Sequence, residues 1–390
     1  MIKNIVIIND FDYIQGGASK VAVETANCLK ENNSELNVYF FSASHSSTSP
    51  LNSDIIKVCT NQGECLKNNN KFLGICNNIY NYGARRKLEK LLDELDKDDT
   101  IVHVHGWTKC LSSSIFHVCF KKKFKVILTM HDYFTACPNG GYFNYKKNCI
   151  CKYKPLSFKC VYCNCDSRNY FFKLFRVIRQ FVQNKIVKLN KKVKNVISIS
   201  DFSENILRKT LNKDVNIYKV KNPIDLDDNI EKINYKNNDY YLYVGRISKE
   251  KGVDTFCKSI TEAKVKGIVV GDGSELKTLK KDYPNIVFTG WKNSNEVKEY
   301  MKKAKALIIP SKWYEGAPLT PLEAMQYGIP VYTSNCNATV DYIKENVNGL
   351  IFSDINDLTE KLKENYDFNV KLEYENNYYN ELISVYKKII

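Results

Sequence analysis

The sequence predicts an α/β protein built from two doubly wound domains, and three observations support this prediction. The chain has 390 residues, enough for two domains with separate cores at roughly 100–200 residues each. Short apolar runs typical of buried strands alternate with longer segments of helical periodicity. The alternation occurs in both halves, and buried strands separated by helices form parallel sheets.

The candidate elements follow in order along the chain. In the first half, strands are predicted at residues 5–8, 38–41, 100–104, 125–129 and 195–199, and helices at 19–31 and 85–95. In the second half, strands are predicted at residues 240–244, 266–270, 285–288, 306–309 and 329–333, with helices between them. Each half therefore has the strand content of a doubly wound sheet.

The domain boundary is predicted at a hinge, residues 221–225, followed by an asparagine-rich connector to about residue 239. We expect an N-terminal domain at 1–222 and a C-terminal domain at 223–368. The tail, 369–390, has a helical pattern and is expected to pack back toward the N-terminal domain. The acidic run 225–228 is interpreted as a solvated linker in preference to a metal site.

The composition limits the classes of partner that the protein is expected to bind. The 58 Lys and Arg residues against 43 Asp and Glu give a net charge of +15, which favours polyanions or an anionic membrane surface. We find no arginine-rich arm or nucleic-acid-binding motif, so nucleic acid is not an expected partner. Because no apolar run approaches the ~18 residues of a membrane span and the N-terminus does not resemble a signal peptide, we expect a cytoplasmic protein.

The most informative stretch is residues 313–324, where Glu315 and Glu323 flank a loop that turns into a helix. Free amides at a helix start can bind phosphate, and carboxylates accept short hydrogen bonds from sugar hydroxyls. A diphosphate between two polyols is a nucleotide-sugar. The alternative is a capping box, with Thr320 as the N-cap and Glu323 reaching back to it.

Several motifs occur together in a characteristic order along nearly the whole chain. They are Gly16-Gly17-Ala18, His103-Val104-His105-Gly106, Thr129-Met130-His131-Asp132, the segment from Val244 to Gly252, Gly271-Asp272-Gly273, and the Glu315 and Glu323 pair. In this order the chain resembles the retaining glycosyltransferases of family 4. That resemblance implies a GT-B fold, in which two Rossmann-like domains face a central cleft.

The resemblance implies four catalytic residues. Arg246 and Lys251 would stabilise the departing pyrophosphate, and both residue types bind phosphate well. Glu315 would contact the transferred sugar, and His131 would contact the donor sugar. The alternatives are solvated surface cations and a structural histidine.

The resemblance also implies residues that bind the donor. Glu323 would hold the ribose hydroxyls, while backbone amides near Gly316, Leu319 and Thr320 would hold phosphate oxygens. The remaining donor-site positions are glycines: Gly17 in a phosphate-side loop, and Gly271 and Gly273 beside the base. An ordinary strand-to-helix turn remains the alternative for Gly271 and Gly273.

The implied function is a retaining glycosyltransferase of the hexosyltransferase type. It would move a sugar from a UDP- or GDP-sugar to an acceptor hydroxyl on a glycan or lipid-linked acceptor, in surface polysaccharide or lipid-linked glycan biosynthesis. No cofactor is required for catalysis in this scheme. The alternatives are a sugar-nucleotide epimerase on the same fold and a zinc-stabilised nucleic-acid-binding protein.

A cysteine-rich insertion is predicted at about residues 137–165. It contains six of the 14 cysteines, and Cys160 and Cys163 have the spacing of zinc ligands. The hypothesis is that four of the six hold a structural zinc; the alternative is a set of free thiols. The six are Cys137, Cys149, Cys151, Cys160, Cys163 and Cys165.

Residues 170–192 form a predicted basic helix rich in aromatic residues. Its basic residues, Lys173, Arg176, Arg179, Lys185 and Lys188, could dock on an anionic membrane and place the protein at the inner face of the cell membrane. The alternative is an amphipathic helix whose apolar face covers the N-terminal sheet while its basic face is solvated.

Overall fold

The fold is given by a computed structural model. It describes residues 2–67, 70–224, 230–374 and 377–390, without the side chain of Leu66. The end of the predicted hinge and the acidic run 225–228 lie outside the described residues.

The chain divides into two compact units. The first comprises Met1–Gly140, Tyr153–Pro223 and Asn376–Ile390, and the second comprises Gly141–Lys152 and Ile224–Glu375. The middle of the cysteine-rich segment therefore groups with the second unit. The end of the chain groups with the first.

Fifteen strands are present in the described residues. In chain order they are β1 (Asn4–Ile8), β2 (Asn37–Ser42), β3 (Ile56–Cys59), β4 (Thr100–Val104), β5 (Lys125–Thr129), β6 (Phe143–Asn144), β7 (Cys149–Ile150), β8 (Asn195–Ser198), β9 (Asn216–Lys219), β10 (Tyr240–Val244), β11 (Lys266–Val270), β12 (Val287–Gly290), β13 (Ala304–Ile309), β14 (Val331–Ser334) and β15 (Gly349–Phe352).

Both large sheets are doubly wound. The first has the order β3-β2-β1-β4-β5-β8-β9, and the second has the order β12-β11-β10-β13-β14-β15. The neighbouring strands within both sheets are parallel. The strand order reverses between β1 and β4 and between β10 and β13, and ligands of such sheets bind beyond the carboxyl ends at these points.

The helices lie between the strands. They are α1 (Gly17–Asn32), α2 (Lys71–Ile79), α3 (Tyr82–Asp93), α4 (Ser114–Lys121), α5 (Phe158–Tyr162), α6 (Tyr170–Phe181), α7 (Leu189–Lys192), α8 (Asp201–Arg208), α9 (Val253–Ala263), α10 (Leu276–Asp282), α11 (Ser294–Lys302), α12 (Thr320–Gln326), α13 (Ile355–Lys363) and α14 (Tyr378–Ile389). Asparagine or serine side chains cap several of their starts, as at Asn81, Asn169 and Ser200.

The predicted α/β class is confirmed, with local differences. The strands predicted at 100–104, 125–129, 240–244 and 266–270 have the observed bounds, whereas the strand predicted at 285–288 lies two residues further on, as β12. The edge strands β3, β9 and β15 are missing from the prediction. The residues of β3 and β9 are partly exposed and lack a buried apolar run, whereas β15 is a short, mostly buried strand of four residues.

The tail is helical only from Tyr378 to Ile389, so the helical pattern predicted from residue 369 begins too early. Two tyrosines attach α14 to the first unit. The Tyr378 hydroxyl lies 2.6 Å from Thr25 Oγ1, and the Tyr386 hydroxyl lies 2.6 Å from His103 Nδ1. Within the described residues, no helix combines the length and apolarity needed to cross a bilayer.

Helix α6 is shorter than predicted, and the face that it buries carries polar side chains, whereas most of its apolar side chains are exposed. A π-helical turn, Val182–Ile186, and left-handed Lys188 separate it from α7. Its buried side chains include Lys173, Arg179 and Gln180, while Phe171, Leu174, Ile178 and Phe181 are exposed. The alternative that its apolar face covers the sheet and its basic face is solvated is therefore wrong. The prediction that Lys173 and Arg179 dock on a membrane is wrong as well, because both side chains are buried.

The loop beneath α6 explains this orientation. Gln180 donates to the carbonyls of Thr135 and Ala136, at 3.0 and 3.2 Å. Arg179 donates to the carbonyls of Pro138 and Thr108. A buried irregular loop needs donors for its carbonyls, since unpaired buried backbone groups are costly. The polar face of α6 supplies those donors.

Candidate functional site

The candidate site of the second unit lies where β10 and β13 end. The loop after β10 begins at Gly245, whose φ of 150° favours glycine, and continues through Arg246 to Lys251. The loop after β13 runs from Pro310 to α12 and carries Ser311 and Glu315. The reversal of strand order brings these loops to one sheet edge.

Lys251 and Glu315 are in direct contact. The Lys251 ammonium bonds Glu315 Oε1, and Ser311 Oγ donates to Glu315 Oε2 at 2.7 Å. Burial raises the pKa of the Glu315 carboxyl, but Lys251 and the Ser311 hydrogen bond bring it below its ordinary value overall. Glu315 is therefore an ionised acceptor in a largely buried position.

Arg246 is held by a residue that the sequence interpretation did not identify. Its Nη2 atom lies 2.5 Å from Glu250 Oε1, to which Ser248 Oγ also donates at 2.9 Å. Glu250 is buried, whereas the Arg246 side chain is 60% exposed. Glu250 therefore anchors the guanidinium while leaving it open to an anion. The four-residue spacing of Arg246 and Glu250 was the available sequence signal.

Tyr243 is a second residue that the sequence interpretation missed. Its buried hydroxyl donates to the carbonyl of Arg246 at 2.8 Å. Burial raises the pKa of this phenol well above its ordinary value; the carboxylates of Glu315 and Glu250 add to the rise, and Arg246 opposes it. Tyr243 therefore lies near enough to the Lys251–Glu315 and Arg246–Glu250 ion pairs for their charges to affect its pKa.

Gly271 and Gly273 lie against the backbone of the loop after β10. A Cβ atom on Gly271, whose φ is 145°, would be 1.9 Å from the Gly245 carbonyl oxygen. A Cβ atom on Gly273 would be 2.2 Å from the Ile247 carbonyl oxygen. These glycines let two strand-end loops pack together, a more demanding role than that of an ordinary turn.

A cavity of about 300 Å³ opens beside these loops. It is lined by Val244, Gly245, Arg246, Val270, Gly271, Asp272, Trp291, Lys292 and Val297. Trp291 is 74% exposed and offers a flat apolar face. The cavity thus joins an aromatic surface to the exposed Arg246.

The start of α12 does not form the capping box. The N-cap is Leu319, no side chain caps the helix, and Thr320 is already helical. The alternative that Thr320 and Glu323 serve as a cap is therefore wrong. In the described residues, the Glu323 side chain forms no hydrogen bond or ion pair, and the Leu319 and Thr320 amides have no acceptor within the chain. Gly316 lies in the loop one residue after Glu315.

In the first unit, Gly17 opens α1 and His131 follows β5. Gly16 has a φ of 143°, and added Cβ atoms at Gly16 and Gly17 would contact nothing within 4 Å. The first-turn amides of α1 are thus approachable. In the part of the chain that the structure describes, Gly17 and His131 share no hydrogen bond.

His131 belongs to a stack of histidines. His131 Nε2 lies 3.0 Å from His105 Nδ1, and the His105 ring packs 4.2 Å from that of His103. His103 contacts Thr129 Oγ1 at 2.7 Å and the Tyr386 hydroxyl at 2.6 Å. Burial lowers the pKa of His103 to about 3 and of His131 to about 4. These rings are neutral near pH 7.

The six cysteines of the insertion fall into two groups. Cys137, Cys160 and Cys165 are buried, whereas Cys149 is exposed and Cys151 and Cys163 are intermediate. Across the described ranges, no three His, Cys, Asp or Glu side chains gather as a metal site. The structural zinc remains a prediction to be tested by metal analysis.

The structure is similar in fold to several solved structures. It matches the lipopolysaccharide outer core galactosyltransferase WaaB in its apo form, with a TM-score of 0.61 and 17% identity over 99% of this chain and 100% of that one. It also matches Anabaena Alr3699/HepE in complex with UDP-glucose, with a TM-score of 0.56 and 14% identity over 99% and 91% of the two chains. The fold is that of the GT-B class, as predicted.

Two family models match in sequence. Glycosyltransferase Family 4 matches residues 15–228, and glycosyl transferases group 1 matches residues 225–378. The first model alone covers more than half of the chain. The chain belongs to glycosyltransferase family 4.

Curated relatives match over shorter stretches. The GDP-mannose-dependent alpha-mannosyltransferase of Corynebacterium glutamicum is 30% identical over 120 residues, 31% of this chain and 29% of that protein. The lipopolysaccharide 1,6-galactosyltransferase of Salmonella typhimurium is 31% identical over 126 residues, 29% of this chain and 35% of that protein. The chain thus spans about a third of each of these relatives.

Gly271→Ala should destabilise the second unit, because its Cβ would collide with the Gly245 carbonyl at an unfavourable φ. We expect a loss of at least about 2 kcal/mol in the free energy of unfolding, measured by thermal and urea denaturation. Gly17→Ala, with open space around its Cβ, is the control and should leave stability nearly unchanged. Equal stability of both variants would show that the two loops do not pack closely.

The free energy of unfolding should decrease as the pH is lowered, because of the histidine stack. The pKa values of His103 and His131 are lowered on folding, so the unfolded chain binds more protons between about pH 6.5 and pH 4. Unfolding free energy should therefore decrease as pH falls through this window, by up to about 1.4 kcal/mol per pH unit for each histidine. His103→Gln should flatten this slope relative to the unmodified protein in urea titrations, and parallel slopes would contradict the assignment.

Proposed function

We propose that the chain transfers a sugar from a nucleoside diphosphate sugar to an acceptor hydroxyl with retention of configuration. The observation that carries the proposal is the Lys251 and Glu315 pair at the strand ends of β10 and β13. Family membership supports the reaction class. The alternatives, an epimerase and a zinc-stabilised nucleic-acid-binding protein, gain no support from the families matched.

The cations would act on the leaving diphosphate. As the glycosidic bond breaks, negative charge builds on the pyrophosphate, and preorganised positive groups lower the barrier most when they are already in place. Arg246, fixed by Glu250 but exposed, and Lys251, fixed by Glu315, meet this requirement. The free amides of Leu319 and Thr320 would add hydrogen bonds to phosphate oxygens.

Glu315 would change partners during binding. In the free protein it neutralises Lys251; a bound diphosphate would compete for that ammonium. The carboxylate would then be available to accept hydrogen bonds from sugar hydroxyls, which are charge-assisted and short. His131, neutral at pH 7, fits a hydrogen-bonding role toward the sugar. Glu323, with no partner in the described chain, fits the ribose hydroxyls.

The donor base would occupy the 300 Å³ cavity. Trp291 would stack on it, and Gly271 would allow a close approach. Among the similar proteins, one structure holds UDP-glucose and one relative is named for GDP-mannose. We infer a UDP- or GDP-sugar donor, and calorimetric titration with UDP, GDP and ADP would identify the base.

Exposed apolar side chains suggest how the acceptor is reached. Phe171, Leu174, Ile178 and Phe181 line one face of α6, and Phe158 of α5, 84% exposed, adds to them. We call these five residues the apolar patch. Lysines 159, 185 and 188 are exposed nearby in sequence, which matches an anionic bilayer better than a neutral protein surface. We infer peripheral docking on an anionic membrane that carries a lipid-linked acceptor.

Lys251→Ala should reduce donor turnover at least 100-fold, because it removes charge stabilisation of the leaving group. Glu315→Gln should have a comparable effect. Released nucleoside diphosphate reports the rate. The matched control is Lys312→Ala, whose ammonium pairs with Asp254 at 2.5 Å and which should retain activity within about threefold. Equal losses at Lys251 and Lys312 would contradict the proposal.

Replacing two patch residues, Phe171→Ser and Phe181→Ser, should weaken binding to anionic vesicles at least tenfold. Each exposed phenylalanine that inserts contributes roughly 1–2 kcal/mol, and co-sedimentation measures the change. Val287→Ser, an exposed apolar residue of β12, is the control. Equal binding to neutral vesicles, or a dimer that these substitutions dissociate, would argue against an anionic membrane as the occupant.

A further inference from the structure

Two buried carboxylates follow β1 in the first unit, next to the point where the strand order reverses. Asp10 and Asp12 are 4% and 1% exposed, and the reversal between β1 and β4 is where such sheets bind ligands. The amides of residues 109–111, which follow β4, donate to the Asp10 carboxylate at 2.9–3.0 Å. Asp10 is therefore satisfied by the backbone.

Asp12 is held by the loop that follows β2. The Ser46 amide donates to Asp12 Oδ1 at 3.0 Å, and His45 Nδ1 lies 2.5 Å from Asp12 Oδ2. The backbone also joins the two segments, since the Asp12 amide donates to the Ser44 carbonyl at 3.2 Å. The Asp12 side chain is 2% exposed, whereas the His45 side chain is 49% exposed. A buried carboxylate thus holds an imidazole that is open to water.

The second nitrogen of the His45 ring is suited to a hydroxyl group. A carboxylate is an acceptor, so Nδ1 must donate its hydrogen to Asp12. Across the described residues, His45 Nε2 forms no hydrogen bond. Nε2 accepts a hydrogen bond when the ring is neutral and donates one when the ring is charged, and a hydroxyl can complete either bond. The bond to Asp12 fixes the direction of Nε2 in both forms.

The surroundings of His45 favour a neutral ligand. Residues 44–49 read Ser-His-Ser-Ser-Thr-Ser, and Ser47 and Thr48 are exposed. Residues 31–56 contain no Lys or Arg, although the chain has 58 of them. Phosphate and carboxylate ligands are usually bound by those two residue types. A loop of hydroxyl side chains around one imidazole is instead suited to the hydroxyls of a sugar.

We propose that His45 binds the acceptor of the sugar transfer: its Nε2 atom forms a hydrogen bond with a hydroxyl of a neutral glycan, and Asp12 is the positioning residue that holds the ring. This role rests on the proposed function, because it names the part of the acceptor that the first unit recognises. His45 makes and breaks no covalent bond. A lipid-linked acceptor would be recognised here by its sugar and not by its phosphate.

Nuclear magnetic resonance of the full chain carrying isotope-labelled histidine tests this role. The chain has five histidines, and His45→Gln identifies the His45 signals. The probes are the methyl glycosides of glucose, galactose, mannose and N-acetylglucosamine. We expect at least one of them to shift the Nε2 signal of His45 while Nδ1 keeps its hydrogen. His117 of α4, whose Nδ1 lies 2.8 Å from the Tyr80 hydroxyl, is the internal control and should not respond.

Asp12→Asn tests the positioning role, because it keeps the size of the side chain and removes its charge. The half-maximal shift of the His45 signal should then require about three- to tenfold more glycoside, since the ring is no longer held by the carboxylate. Nδ1 should also lose its fixed hydrogen. Asp54→Asn, at an exposed carboxylate of the same unit, is the matched control and should bind the glycoside as the unmodified protein does.

A His45 signal that moves with none of the glycosides, or with inorganic phosphate alone, would overturn the proposal. So would a folded Asp12→Asn protein with unchanged glycoside binding. Because the titration is read in the unmodified protein, a variant that fails to fold leaves the test intact. Release of nucleoside diphosphate from UDP- and GDP-sugars is measured in parallel. Donor turnover with an unresponsive His45 contradicts the acceptor site alone, whereas a responsive His45 without donor turnover contradicts the proposed function and, with it, the acceptor role.

Discussion

The partly buried ion pair of Glu315 and Lys251 is the constraint on which the candidate site depends. Removing one partner leaves a charge that is largely shielded from water and has lost its counter-charge, which is unfavourable. The backbone holds the pair as well: the main-chain carbonyl of Glu315 accepts from the Ala338 amide at 2.9 Å. Gly252, with φ of 68°, approaches the Pro310 carbonyl so closely that a Cβ there would be 1.8 Å away. Both strand-end loops are therefore fixed before any ligand arrives.

Buried polar groups are satisfied in two ways. Glu250 in the second unit and Asp166 in the first are buried carboxylates that pair with arginines. The first unit also keeps His103 and His131 neutral through burial and holds Asp10 with the amides of Lys109, Cys110 and Leu111. A neutral histidine stack suits hydrogen bonding to uncharged hydroxyls, whereas the exposed Arg246, which Glu250 holds, suits an anion.

Much of the fold was predictable because central strands of parallel sheets are buried on both faces and give continuous apolar runs. Edge strands such as β3 lack this signal. The residues that bind each other across the chain, such as Lys251 and Glu315, could be proposed only by resemblance, since 64 residues separate them. The contact between Glu250 and Arg246 could more easily have been predicted, because the two residues are only four positions apart in sequence. Its burial depends on tertiary packing and could not be inferred from that spacing.

Helix α6 shows where periodicity stops being informative. Its sequence pattern shows that the helix has an apolar and a polar face. Which of the two is buried depends on the surface against which the helix packs. Here the loop at residues 134–139 requires donors, so Arg179 and Gln180 turn inward. Lys173, about two turns earlier on the same face, is buried with them, and its Nζ atom lies 3.5 Å from Cys160 Sγ. The same orientation of the helix exposes Phe171 and Ile178. The exposed apolar patch and the burial of Lys173 therefore both follow from the need to satisfy the backbone carbonyls of this loop.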